Sequence, residues 1–251
     1  MCFDHDSHPP IEPIAGGAIA HEHLTLTAAD GARFAAFRAD AANPTGAGII
    51  VLPDVRGLHH YYEELTLRFA EAGIDAIAID YFGRSAENDD RGEGFDFQPH
   101  VAATRWTTLQ QDVAAAAAHL RETRGVGALY DIGFCFGGRL ALDLATVDEL
   151  QLDGVIAFYG WPVGAARNDL PAPVDLVDAM ACPVLAIFGG ADQGIPADRV
   201  ATFQAALETA GVDHQVTTYP DAPHSFFDRK QAEVADASAA AWDEVLAFVQ
   251  P

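Results

Sequence analysis

The chain has 251 residues, half of them hydrophobic and 10% aromatic, enough to bury a core and unlike the composition of a disordered chain. Its formal net charge is −23, with only 14 lysines and arginines, which argues against nucleic acid as a partner because phosphate neutralisation needs basic patches. No apolar run approaches the roughly 20 residues that span a bilayer, so no membrane partner is expected either.

The length is that of one α/β domain covering residues 1–251. Residues 1–17 contain prolines and glycines and read as an irregular leader. Asp4, His5, Asp6 and His8 stand where a secretion signal would be basic and then apolar. Cysteines at positions 2, 135 and 182 form neither a disulfide framework nor a metal-binding spacing. A reducing cytoplasm is therefore the expected compartment.

Along the chain, residues 24–27 and 33–38 flank Ala29-Asp30-Gly31, a turn signal, and predict a β-hairpin. Residues 47–52 are a continuous apolar run ending at Pro53, the pattern of a strand buried on both faces. Residues 62–72 have helical periodicity that stops at Gly73, and residues 74–79 predict the next strand. The alternation continues with helices over 108–122, 138–145, 197–210 and 230–249, and strands over 127–133, 154–159, 183–188 and 214–219. Residues 89–100, rich in glycine and charge, predict a mobile loop able to cover a pocket. Strands alternating with helices imply right-handed crossovers and a mostly parallel, doubly wound α/β sheet with helices on both faces. Ligands of such sheets sit at the carboxyl ends of the strands.

Gly133-Phe134-Cys135-Phe136-Gly137-Gly138 joins a predicted strand to a predicted helix. This is the G-x-S-x-G nucleophile elbow with cysteine in the nucleophile position. A sharp strand-to-helix turn needs small residues on both sides, and a thiol at a helix N-terminus is favoured as thiolate. The Phe136 N–H would supply one oxyanion donor. A buried, inert cysteine in a glycine-rich turn is the bland alternative for this segment taken alone. Asp192, in Phe188-Gly189-Gly190-Ala191-Asp192, and His224, in Pro220-Asp221-Ala222-Pro223-His224, follow the last two predicted strands. Each alone reads equally as a turn or surface-loop residue. Together they complete the order nucleophile, acid, histidine that marks the α/β-hydrolase fold.

On these residues the chain resembles the dienelactone hydrolase family from residue 47 to the helix after His224. The resemblance implies an α/β-hydrolase fold and a catalytic triad of Cys135, Asp192 and His224. Val55, in the loop after the first parallel strand, is the second expected oxyanion donor. The resemblance also puts Asp54 where the family carries an activating glutamate, one methylene longer, and makes Arg84 a candidate for holding a substrate carboxylate. A second family arginine has no match, because Phe227-Asp228-Arg229 offsets it by one; Arg56 is a candidate substitute. Tyr159 and Trp161 are candidate pocket walls and His59 a candidate at the pocket mouth, with core packing as the alternative for the two aromatics.

His21-Glu22-His23 and His59-His60 lack an evident third ligand, so no metal and no cofactor is expected. The expected activity is thiol-dependent hydrolysis of activated small-molecule esters or lactones by a monomer or small homo-oligomer. The alternatives are a non-catalytic binding module retaining the pocket and a redox sensor built on Cys135.

Overall fold

The computed structural model describes residues 5–165, 168–228 and 232–249. Cys2 and Arg229 lie outside them. In chain order the elements are β1 (Ala18–Thr27), β2 (Arg33–Ala41), β3 (Ala47–Leu52), α1 (His60–Glu71), β4 (Asp75–Ile79), α2 (Phe97–Ala103), α3 (Trp106–Arg124), β5 (Ala128–Phe134), α4 (Phe136–Leu144), β6 (Gly154–Phe158), β7 (Val184–Gly189), α5 (Ala197–Ala210), β8 (His214–Tyr219) and α6 (Ala235–Phe248).

The eight strands form one sheet in the order β1-β2-β4-β3-β5-β6-β7-β8. Only the β1–β2 and β2–β4 pairings are antiparallel; β4, β3, β5, β6, β7 and β8 run parallel. Every residue of β3, β4, β6 and β7 is buried, which explains why these strands read as apolar runs. Successive side chains of β3 enter different cores. Ile49 and Val51 pack with Tyr61, Leu65 and Phe69 of α1 and Val245 of α6. Ile50 and Leu52 pack with Leu109 and Val113 of α3 and Leu140 of α4. The sheet is thus covered on both faces, the doubly wound α/β-hydrolase architecture.

Three differences from the expected elements have local causes. β1 begins at Ala18 because His21, Glu22 and His23 lie on an exposed edge strand, where no apolar signal is required. α6 begins at Ala235, later than the expected 230, with residues 232–234 in turn conformation. The loop expected over 89–100 contains the start of α2, whose first turn is capped by the Asp96 carboxylate accepting from the Gln98 N–H at 3.2 Å. No helix among the described residues is long and apolar enough to cross a membrane.

Parallel topology gathers the carboxyl ends of six strands along one edge. Asp54 follows β3, Asp80 follows β4, Cys135 β5, Tyr159 β6, Asp192 β7 and His224 β8. Bare backbone lets these ends converge. A Cβ on Gly133 would lie 1.9 Å from the Gly137 carbonyl oxygen, and one on Gly137 only 2.1 Å from that of Leu52. Behind the turn α4 buries Asp143, whose carboxyl oxygens have no hydrogen-bond partner among the described residues. Burial pushes this acid up to about 8, against the pull of Arg139. Asp131 on β5 is likewise raised by burial.

Because a methyl group at position 137 has to displace two backbone carbonyls, Gly137→Ala should cost about 3 kcal/mol or more of stability. Urea denaturation against Gly127→Ala, where a new Cβ would lie 3.9 Å from the Gly46 carbonyl oxygen, measures it.

Candidate active site

Cys135 ends β5 and caps α4 with φ 55° and ψ −108°, a left-handed conformation that costs a non-glycine residue about 1–3 kcal/mol. The turn is held on both sides: the Cys135 N–H donates to the Phe158 carbonyl at 3.0 Å, and the Arg139 N–H to the Cys135 carbonyl at 3.1 Å. Cys135 forms no disulfide and is buried. Phe136 opens the helix, so its N–H has no intrahelical acceptor. Val55 lies in the loop after β3, whose Leu52 and Pro53 carbonyls abut Gly137 in the same turn.

Asp192 and His224 are brought together. One Asp192 oxygen accepts the N–H groups of Gly194 at 2.7 Å and Ile195 at 3.3 Å, fixing the carboxylate. The other lies 2.6 Å from His224 Nδ1. Since a carboxylate only accepts, Nδ1 carries the proton, and in the neutral imidazole Nε2 presents its lone pair. Nε2 is buried without a hydrogen-bond partner among the described residues. Tyr159, itself at φ 41°, and Trp161 flank the imidazole, each ring centroid 5.0 Å from it. The thiol and Nε2 are not hydrogen-bonded to each other.

Arg56 is 2% exposed, and its guanidinium serves two carboxylates. Asp54 accepts the Arg56 N–H at 2.8 Å and Nε–H with both oxygens at 3.1 Å, while Asp228 is ion-paired to Nη2. The Ser7 hydroxyl lies 3.3 Å from Nη1. One guanidinium cannot neutralise two buried carboxylates, and burial outweighs it at Asp228, which is pushed up to about 6. Tyrosines brace the same loops. The Tyr62 hydroxyl accepts the Asp54 N–H at 3.0 Å, Tyr61 donates to the Phe227 carbonyl at 2.8 Å, and Tyr81 donates to the Pro53 carbonyl.

Several expected roles change in this light. Arg56 does not offer an open guanidinium for a substrate; it ties the loop after β3 to the loop after β8. Both oxygens of Asp54 are engaged by Arg56. Arg84 is turned away into a bidentate pair with Asp112 of α3, 2.7 and 3.1 Å, and a second pair with Asp30 of the β1–β2 turn at 2.5 Å. His59 is 5% exposed, beneath His5 and against His60, so it does not stand open at a pocket mouth. The 89–100 loop is pinned, not loose: Arg91 pairs with Asp80 at 2.8 Å, both 1% exposed, and lies over the Phe95 ring. Sequence reasoning missed this pair and the three tyrosines; the only signal was a lone arginine in a charged loop. No group of three or more His, Cys, Asp or Glu side chains among the described residues is arranged to hold a metal ion.

The model of the dienelactone hydrolase family matches residues 34–251. The chain belongs to the dienelactone hydrolase family. It is therefore an ester or lactone hydrolase of that class. Among its relatives, a Yersinia pestis protein named "putative carboxymethylenebutenolidase" is 30% identical over 205 residues, covering 79% of this chain and 75% of the relative. One of the same name from Saccharolobus solfataricus is 28% identical over 256 residues, covering 88% and 95%. A crystal structure called a "putative dienelactone hydrolase" from Klebsiella pneumoniae superposes with a TM-score of 0.78 at 27% identity, over 92% of this chain and 99% of that one. At 24% identity, a dienelactone hydrolase-like promiscuous phosphotriesterase from metagenomic libraries shares the fold, with a TM-score of 0.71 over 92% and 98% of the two chains.

Burial, with the nearby charges of Arg56, His60 and His5, holds His59 down to about 3 from 6.5. The unfolded imidazole takes up a proton near 6.5 that the folded one refuses, so this stability is present above that pH and is lost as pH falls towards 3. Thermal melts between about pH 7 and pH 5 should show a smaller acid-side loss in His59→Gln than in the wild type.

Proposed function

We propose that the chain hydrolyses activated carboxylic esters and enol-lactones through a thioester on Cys135. The observation that carries this reading is the Nδ1–Asp192 hydrogen bond of 2.6 Å, which leaves the opposite nitrogen of His224 basic beside a strained cysteine turn. Nε2 takes the thiol proton once Cys135 rotates towards it, and Asp192 stabilises the resulting imidazolium. The sulfur attacks the acyl carbon, and the N–H groups of Phe136 and Val55 receive the developing oxyanion. The C–O bond breaks as Nε2–H returns the proton to the leaving oxygen. Water then adds to the thioester with His224 as base; the acid departs and the thiol is restored.

Sulfur narrows the substrate range. A thiolate leaves a tetrahedral intermediate more readily than an ordinary alkoxide, so attack reverts unless the alcohol side leaves easily. Phenol-like and enol leaving groups meet that demand, whereas amides do not. The putative carboxymethylenebutenolidases the chain is similar to are named for a lactone that also carries a carboxylate, and only the lactone part of that name is carried over to this chain.

Cys135→Ala should lower kcat/KM on a 4-nitrophenyl ester at least about 10³-fold, and Asp192→Asn about 10²- to 10⁴-fold. Intact-protein mass spectrometry during turnover of a slow ester should show one added acyl group in wild type and none in Cys135→Ala. Full activity without Cys135 would remove the reading.

A further inference from the structure

The charges around Cys135 and His224 speak to what the acyl group of a substrate carries. Tyr159 lies within electrostatic reach of Asp228, Asp54 and Cys135, and its ring centroid is 5.0 Å from that of His224. Within this neighbourhood stand three buried carboxylates, Asp54, Asp192 and Asp228, against the one guanidinium of Arg56. That guanidinium is already shared by two of them. The next cations outward are matched as well: Arg91 is closed into a buried pair with Asp80, and Arg84 faces both Asp30 and Asp112. Arg139 of α4 turns its Nη2 to the backbone carbonyls of Leu170 and Pro171, at 3.2 and 2.5 Å. The whole chain adds a formal charge of −23, which sets a negative potential over any cleft in it.

From this, and resting on the hydrolase reading above, we infer that the site selects esters and lactones whose acyl portion is uncharged, and discriminates against those bearing a carboxylate. An incoming carboxylate meets three buried carboxylates set against one guanidinium, and like charges a few ångströms apart repel strongly where water is scarce. To find a guanidinium it has to displace Asp54 or Asp228 from Arg56, and the displaced carboxylate would then stay buried without a partner.

The test compares 4-nitrophenyl butyrate with mono-4-nitrophenyl succinate, which differ chiefly by a terminal methyl or carboxylate, each corrected for its alkaline hydrolysis rate. At low ionic strength the corrected kcat/KM should favour the butyrate by about tenfold or more, and the gap should narrow with added salt. Asp228→Asn, which leaves Arg56 with a single carboxylate, should raise succinate relative to butyrate several-fold. Arg229→Ala should move the wild-type ratio less than about twofold. Equal or faster turnover of the succinate, or a succinate preference that disappears in Arg229→Ala, overturns the inference and leaves the hydrolase reading standing. Turnover of neither ester by the wild type removes the hydrolase reading, and the inference falls with it.

Discussion

A steric constraint underlies the whole active-site edge: backbone must cross backbone where α4 leaves β5. The Leu52 carbonyl oxygen sits 2.1 Å from where a Gly137 Cβ would be, and the Phe158 oxygen 2.5 Å from that of Gly138. Three strand ends and a helix terminus can meet only because those positions carry no side chain. The crossing sets the place of Phe136 against the loop holding Val55, and it forces Cys135 into its left-handed turn. The strain at that single residue is supported by two flanking hydrogen bonds and by burial of every residue of α4.

Around this crossing a single cation organises the loops. Arg56 holds Asp54, two residues back, and Asp228, far along the chain, so that the loop bearing Val55 and the loop bearing His224 are tied through one side chain. Tyr61 reinforces the tie by bonding the Phe227 carbonyl, and Tyr62 by receiving the Asp54 N–H. A buried pair of this kind is poor evidence for stability, since desolvation offsets much of the attraction. Its value here is geometric. It fixes the separation of the loop that carries Val55 and the loop that carries His224.

Much of the fold was legible because the buried strands are almost wholly apolar and α1, α3 and α5 stop at Gly73, Gly125 and Gly211. β3, α5 and β8 match the expected spans, and the Gly-x-Cys-x-Gly spacing locates the turn that the backbone adopts. Asp192 and His224 were found from loop context alone, because each follows a strand at the same edge of the sheet. The arginines were not legible. Arg56 and Asp228 are 172 positions apart, and no local pattern says which carboxylate a guanidinium will meet after folding. Arg84 stands at a strand end facing the right edge, yet α3 presents Asp112 to it from another layer. α2 escaped notice because its seven residues include a proline and too few apolar positions to establish a period.

The formal charge of −23 also overstates what the folded molecule bears. Asp143 holds its proton to about pH 8, and Asp131 is displaced in the same direction, whereas in the extended chain both are ionised at neutrality. Folding near or slightly above pH 7 is therefore a proton-consuming reaction, with His59 releasing little there because its unfolded form is already mostly neutral. In a weakly buffered solution the chain should make its surroundings more alkaline as it folds. Asp143 at least thus escapes the mutual repulsion that so many like charges impose on a compact body.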